Sequence, residues 1–306
     1  MASSFLETVD MLLGTGITSL SQTFIETQTA YISSKQLPDG GFPGRLGGSD
    51  LYYTDFAART LALLSPTNSA FQGISEYINQ RSQNPHDVIE CFSILNIARI
   101  LRSQDIDVYL DTTALVATLH LQQLPQGGFA RHGNQEISAY NTFLAALCFD
   151  MLEIEIQSID ATISCIQNLQ QSDGGFSEGP GQLSSQTNAT AAVVAVLRMF
   201  ESINQKSIDS SSAFLASMQD TDGGLRAQPN APESDLLATF TGLLTLAMLD
   251  DPGRLNIPVM ARFIRALTIP NGGFGACVGD DESDIEYTYY GIGTISLLRA
   301  YADSLG

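Results

Sequence analysis

Along most of the chain, apolar residues recur at helical spacing, and no stretch alternates long enough to compete as a strand. Two kinds of amphipathic segment take turns. One scatters polar residues among its apolar ones, as in IQSIDATISCIQNLQQ from Ile156. The other is apolar around most of its circumference, as in TAAVVAVLRMF from Thr190 and TGLLTLAML from Thr241. A helix apolar on most sides must be buried on most sides, so the second kind predicts an inner layer and the first an outer one. After a leading helix at residues 5–18, the pattern predicts six helical hairpins. They pair residues 19–36 with 50–64, 68–82 with 86–102, 107–123 with 136–152, 158–171 with 186–202, 207–219 with 234–249, and 256–268 with 284–303. Nothing reads as an interdomain linker, so residues 1–306 are taken as one domain.

Within most hairpins the two helices are divided by the same phrase: Gly40-Gly41-Phe42, Gly127-Gly128-Phe129, Gly174-Gly175-Phe176, Gly223-Gly224-Leu225 and Gly272-Gly273-Phe274. Paired glycines let a helix stop and reverse. The last four first-glycines stand at 127, 174, 223 and 272, a period of 47 to 49 residues that marks a helical repeat array. Between 40 and 127 there is room for one more repeat without its glycines, and HDVIECFSILNIARIL from His86 matches SDLYYTDFAARTLALL from Ser49. An open solenoid needs polar caps at its ends. The terminal hairpins here resemble the others, so the array is predicted to close into an all-α, α/α toroid with inner and outer helix rings. Asp50, Asp87, Asp235 and Asp284 stand just before inner helices and would ring one mouth of such a barrel. Repeated N-capping explains their spacing; a Mg²⁺ or polar-headgroup site is the functional alternative.

With 306 residues, 44% of them hydrophobic, the chain can bury a large core. Fourteen Lys plus Arg against 33 Asp plus Glu gives a net charge of −19, which repels nucleic acid and anionic membrane surfaces. No run reaches the roughly 20 apolar residues of a membrane span, and MASSFLETVDMLLGTG has no basic region of a secretory signal. Cys91, Cys148, Cys165 and Cys277 are scattered without a CxxC pair, as expected of reduced thiols in a cytoplasmic protein.

These hairpins resemble those of the terpenoid cyclase and protein prenyltransferase superfamily, whose fold is a closed toroid of six helical hairpins. GGFGACVGDDESDIEYTYYGIGTISLL and GGLRAQPNAPESDLLATFTGLLTLAML are similar to the last two repeats of protein prenyltransferase β subunits, the Rab geranylgeranyltransferase type in particular. The resemblance runs from about residue 19 to 303. Squalene and hopene cyclases mark similar repeats with Gly-x-Trp; this chain has no tryptophan and uses Gly-Gly-Phe.

The resemblance implies a zinc ion that activates a substrate thiol, held by an Asp, a Cys and a His. Asp235 stands at the Asp position, but Leu237 and Tyr287 stand at the other two, so no stoichiometric zinc is expected. It also implies a diphosphate site, whose His, Arg and Lys positions here hold Ser185, Gln228 and Ala231. Arg45, Arg131 and Arg226 lie in the turns at the same end and are the candidates to clamp a phosphate, or else to balance acidic helix starts. A helical α-subunit-like partner is likewise implied; the chain is expected to fold without one. Candidates for catalysis are Asp235, Asp284 and Tyr287. Tyr52, Tyr53, Phe56, Phe92, Tyr140, Phe143, Phe240, Tyr287, Tyr289 and Tyr290 fall on inner helices and would line an apolar funnel or simply fill the barrel. Three classes fit these residues: a prenyl-transferring enzyme, a single-domain class II-type terpene cyclase, and a non-catalytic isoprenoid binder or helical scaffold. The DxDD pattern of the cyclases is absent. The reading adopted is a prenyltransferase β-like toroid that binds an isoprenoid or prenyl diphosphate centrally, with turnover left open.

Overall fold

The computed structural model describes residues 4–304. A leading helix α1 (Phe5–Ile17) is followed by α2 (Gln22–Ser34) paired with α3 (Leu51–Leu64), α4 (Ala70–Arg81) with α5 (Val88–Ser103), and α6 (Thr112–Gln122) with α7 (Ala139–Leu152). Then come α8 (Ile159–Gln167) with α9 (Thr187–Met199), α10 (Gln205–Ser217) with α11 (Leu236–Met248), and α12 (Ile257–Leu267) with α13 (Ile285–Ser304). The second helices form a ring: α3 packs on α5, α5 on α7, α7 on α9, α9 on α11, α11 on α13, and α13 back on α3. The even-numbered helices α2 to α12 lie outside and back onto them. On α9 every residue from Ala192 to Leu197 is buried, as its all-round apolarity requires. The fold is an α/α toroid.

What joins one hairpin to the next is a glycine. Gly40 has φ +87°, and a Cβ there would stand 2.0 Å from the Gly73 carbonyl oxygen on α4. Gly272 has φ +104°, and its Cβ would stand 2.5 Å from Tyr31 Cβ on α2. The last turn therefore docks on the first outer helix as the first turn docks on the second. Gln36 reinforces the junction by donating through Nε2 to both Gly40 O and Ala70 O, each at 2.9 Å. Gln170 and Gln219 bridge their own turns to the next repeat in the same way.

The side chain after the glycines is buried against the inner helix, and its backbone N–H is used as well. Phe42, Phe129, Phe176 and Leu225 donate to Thr54, Thr142, Thr190 and Thr239 at 2.8 to 3.0 Å. Each threonine stands four residues after the residue that precedes its helix. The turn thus returns to the helix cap as a two-residue antiparallel ribbon: β1 (Phe42–Pro43) with β2 (Ser49–Asp50), and β3 (Leu225–Arg226) with β4 (Ser234–Asp235). The sequence predicts no strands, because two residues are too few to leave an alternating pattern. The second repeat, without a glycine turn, has buried Cys91 at the threonine position and forms no ribbon. Asp50, Asp87, Asp235 and Asp284 all accept backbone N–H groups at the starts of their helices.

Replacing Thr190 by Val should leave the buried Phe176 N–H without its acceptor and destabilise the domain by about 1–3 kcal/mol. Urea denaturation would measure this; an unchanged midpoint would mean the hydroxyl is dispensable.

Candidate ligand site in the lumen

The ring encloses a lumen with two unlike walls. One is built by α3, α5 and α13. Phe56 meets Tyr52, Tyr289 and Tyr290 with ring centroids 4.9 to 5.5 Å apart, and Phe240 from α11 lies 5.4 Å from Tyr290 in a stacked arrangement. Tyr52 and Tyr290 both donate their hydroxyls to Glu286 Oε1, at 2.7 and 3.0 Å. Tyr140 on α7 lies near Tyr52 on α3. Those two helices are not neighbours in the ring, so the approach is made from across the lumen.

Behind the aromatic wall lies a buried ion pair that the sequence reading did not single out. Asp55 and Arg59, one turn apart on α3, pair through Oδ2 and Nη2, and Asn96 donates to Asp55 Oδ1 at 2.6 Å. The Arg59 guanidinium lies 4.9, 5.0 and 5.4 Å from the ring centres of Phe56, Phe92 and Tyr289. Cation–π contacts of this kind contribute up to about 2 kcal/mol when desolvated. The Asp-x-x-x-Arg spacing is visible in the sequence, but its burial is not.

The other wall is apolar and less completely covered. Phe240 points to α13, and Thr241 donates to Asn188 Oδ1 on α9 at 2.7 Å. The stripe between these directions, Leu237, Leu244 and Met248, therefore faces the lumen, and all three are half-buried. Tyr140 and Phe143 on α7 are half-buried too, one turn apart on the same face.

Burial shifts the acids of the lumen. Desolvation raises the Glu286 carboxyl above its ordinary value, and the bonds from Tyr52 and Tyr290 offset only part of this. Desolvation also raises Asp55, against the opposing pull of Arg59 and Asn96. Tyr140 is pushed up to about 12 by burial.

The rim holds the remaining candidates. Asp235 caps α11 by accepting from Ala238 N at 2.7 Å, and burial raises its carboxyl. Arg45 donates to Asp284 Oδ2 at 2.9 Å and to Asp280 Oδ2 at 2.5 Å, tying the first turn to the last, and lies over the Tyr287 ring. Tyr53 is half-buried with its ring edge against Tyr52. Arg131 pairs with Glu178 and lines an outside cleft of about 830 Å³ at the second and third hairpins. Arg226 approaches Asp220 at 3.8 Å. The three arginines are thus engaged by separate carboxylates, Arg45 and Arg131 across to a neighbouring turn and Arg226 within its own, and do not converge. The residues at the implied zinc position do not fit that ion: Asp235 is occupied in capping, Leu237 has no donor atom, and Tyr287 is a phenol. Among the described residues no group of three His, Cys, Asp or Glu side chains is placed to hold a metal, and none of the helices is long and apolar enough to cross a membrane. Ser185 is buried and donates to Asp173, while Gln228 is exposed.

Hydrogen bonding to Arg45 lowers the Asp280 carboxyl, so this pair stabilises the fold above the ordinary carboxylate range and stops doing so as pH falls through the lowered value. Arg45→Met should lower the denaturation midpoint at neutral pH, and the gap from the parent should narrow on acidification. A gap independent of pH would mean that packing, not charge, is lost.

A family model described as the prenyltransferase alpha-alpha toroid domain matches residues 5–230 and 194–305. Among solved structures, protein geranylgeranyltransferase-I of Candida albicans complexed with GGPP aligns with TM-score 0.72 at 15% identity, covering 90% of this chain and 92% of that one. The type II terpene cyclase MstE from Scytonema aligns with TM-score 0.65 at 16% identity, covering 92% and 97%. The polysaccharide lyase BACCELL_00875 aligns with TM-score 0.60 at 10% identity, covering 98% and 99%. At these identities the likeness is one of fold. No curated protein matches the sequence.

Proposed function

The chain belongs to the prenyltransferase alpha-alpha toroid family, and on that premise we propose that its lumen binds an isoprenoid chain. The observation that carries this is the half-buried apolar stripe of Leu237, Leu244 and Met248 on the inward side of α11, in a ring whose other inner helices carry aromatic side chains. An isoprenoid offers the branched apolar surface and π density that such walls complement. Two structural neighbours point the same way, being complexes with GGPP and with geranylgeranyl dihydroxybenzoate. The tail supplies the affinity in this reading, because the arginines of the rim are already paired. Transfer to a thiol does not fit, since the zinc position lacks its ligands.

Prenyl alcohols of ten to twenty carbons should raise the melting temperature, more strongly with length, since each buried methylene contributes about 0.8 kcal/mol. Saturation at 100 times Kd corresponds to about 2.7 kcal/mol, which a melt resolves. Diphosphates should add little over alcohols, and Leu244→Trp should reduce the shift. If no isoprenoid moves the melt, the reading is wrong.

Glu286 favours a second reading. A carboxyl raised by burial among aromatic rings can protonate an alkene. Its proton would add across a terminal C=C, the cation would be taken up by a neighbouring double bond to close a ring, and loss of a proton would restore neutrality. Incubating a geranylgeranyl compound in D₂O should then give a cyclic isomer one mass unit heavier, and Glu286→Gln should abolish it while keeping the ligand-induced shift. Recovery of unchanged substrate with the parent protein would exclude it.

A further inference from the structure

The leading helix α1 belongs to no hairpin, yet it is bound to the inner ring rather than to the outer one. Near its C-terminal end, Ser296 Oγ on α13 donates to Leu13 O. One turn on, Gly16 packs so closely that a Cβ would stand 1.9 Å from the Ser296 carbonyl oxygen. At its other end, the Phe5 ring meets Phe143 on α7 edge-on, centroids 5.5 Å apart. In the ring order α3, α5, α7, α9, α11, α13, the helices α13 and α7 stand diametrically opposite. A helix that touches both must cross the ring. Thirteen residues at 1.5 Å each span about 20 Å, a length suited to that crossing.

The level of the crossing follows from its partners. Ser296 and Arg99, which binds Asp10 at 2.7 Å, lie in the latter halves of α13 and α5, far from the rim of turns where the inner helices begin, while the Phe5 ring at the start of α1 reaches up to Phe143 in the first half of α7. Leu6, Val9, Leu13 and Ile17 are buried. Arg99 also donates to Asn96, which holds Asp55 and hence Arg59. The helix is therefore connected by an unbroken series of polar contacts to the aromatic wall of the lumen.

We propose that α1 is the floor of the lumen, and that Phe5, against Phe143, limits how deep a ligand entering from the opposite mouth can reach. The length limit rests on the isoprenoid reading above; the floor does not. Gly16→Leu separates the two, because it forces α1 off α13 without altering any side chain of the lumen walls. Cysteine probes placed by Met248→Cys, at the far end of α11, and by Leu237→Cys, near its start, can be followed by peptide-resolved labelling with a charged maleimide. Adding Gly16→Leu should accelerate labelling at position 248 at least tenfold and leave position 237 unchanged, with circular dichroism reporting that the ring stays folded. Equal rates at 248 with and without Gly16→Leu overturn the floor. In the length assay, Phe5→Ala should move the best-bound prenyl alcohol to a chain longer by at least one isoprene unit. An unchanged optimum overturns the role of Phe5 while the isoprenoid reading stands. If no alcohol binds either protein, the length limit falls together with that reading, and the labelling result still decides the floor.

Discussion

The ring rests on the close approach of the first glycine of each glycine turn to the outer helix of the next hairpin. At Gly40 and Gly272 no side chain could be accommodated, because the space belongs to the outer helix of the next hairpin. The same close approach recurs at Gly127, Gly174 and Gly223, against Ala161, Ser210 and Val259. One junction geometry used repeatedly turns each hairpin relative to its neighbour by a similar amount, and a similar turn applied around the ring brings the last hairpin to the first. The threonines that receive the N–H of the following residue fix the turn to its own inner helix, so that the junction is rigid on both sides.

Within that frame the interior of the ring is not uniformly apolar. The α3, α5 and α13 side holds a buried salt bridge, three aromatic rings around its guanidinium, and a carboxyl shared by two tyrosines. A buried ion pair such as Asp55–Arg59 gives little net stability, because desolvation offsets most of the attraction. What it does give is a fixed orientation: with Asn96 it sets the angle of α3 against α5. The apolar residues of α7 and α11 that face inward are less completely covered.

The ring was legible in the sequence because its determinants are local and periodic. Glycine pairs mark turns, aspartates mark helix starts, and all-round apolarity marks the inner helices. The junction glutamines and cap-plus-four threonines were legible in principle, since Gln36, Gln170 and Gln219 each stand four residues before a first glycine. The lumen was only half legible. Its aromatic residues could be assigned to inner helices, but the meeting of Tyr52 with Glu286, or of Asn96 with Asp55, depends on the rotation of each helix about its own axis. That rotation comes from ring packing, not from spacing along the chain. The crossing of α1 was hidden for the same reason: its sequence predicts a helix and says nothing of where it lies.

Closure also dictates the order of events in folding. The contact of Gly272 with α2 and the Arg45–Asp284 pair join segments at opposite ends of the chain. An open repeat array can nucleate at any point and gain stability one unit at a time. Here the first and last hairpins each lack a neighbour until the ring shuts, so a large loop entropy must be met before the final interfaces form. During synthesis, the apolar flank of α3 that α13 will cover must wait until α13 has left the ribosome. A toroid gains its freedom from exposed edges only at the end, and the nascent chain is most vulnerable to wrong association just before that moment.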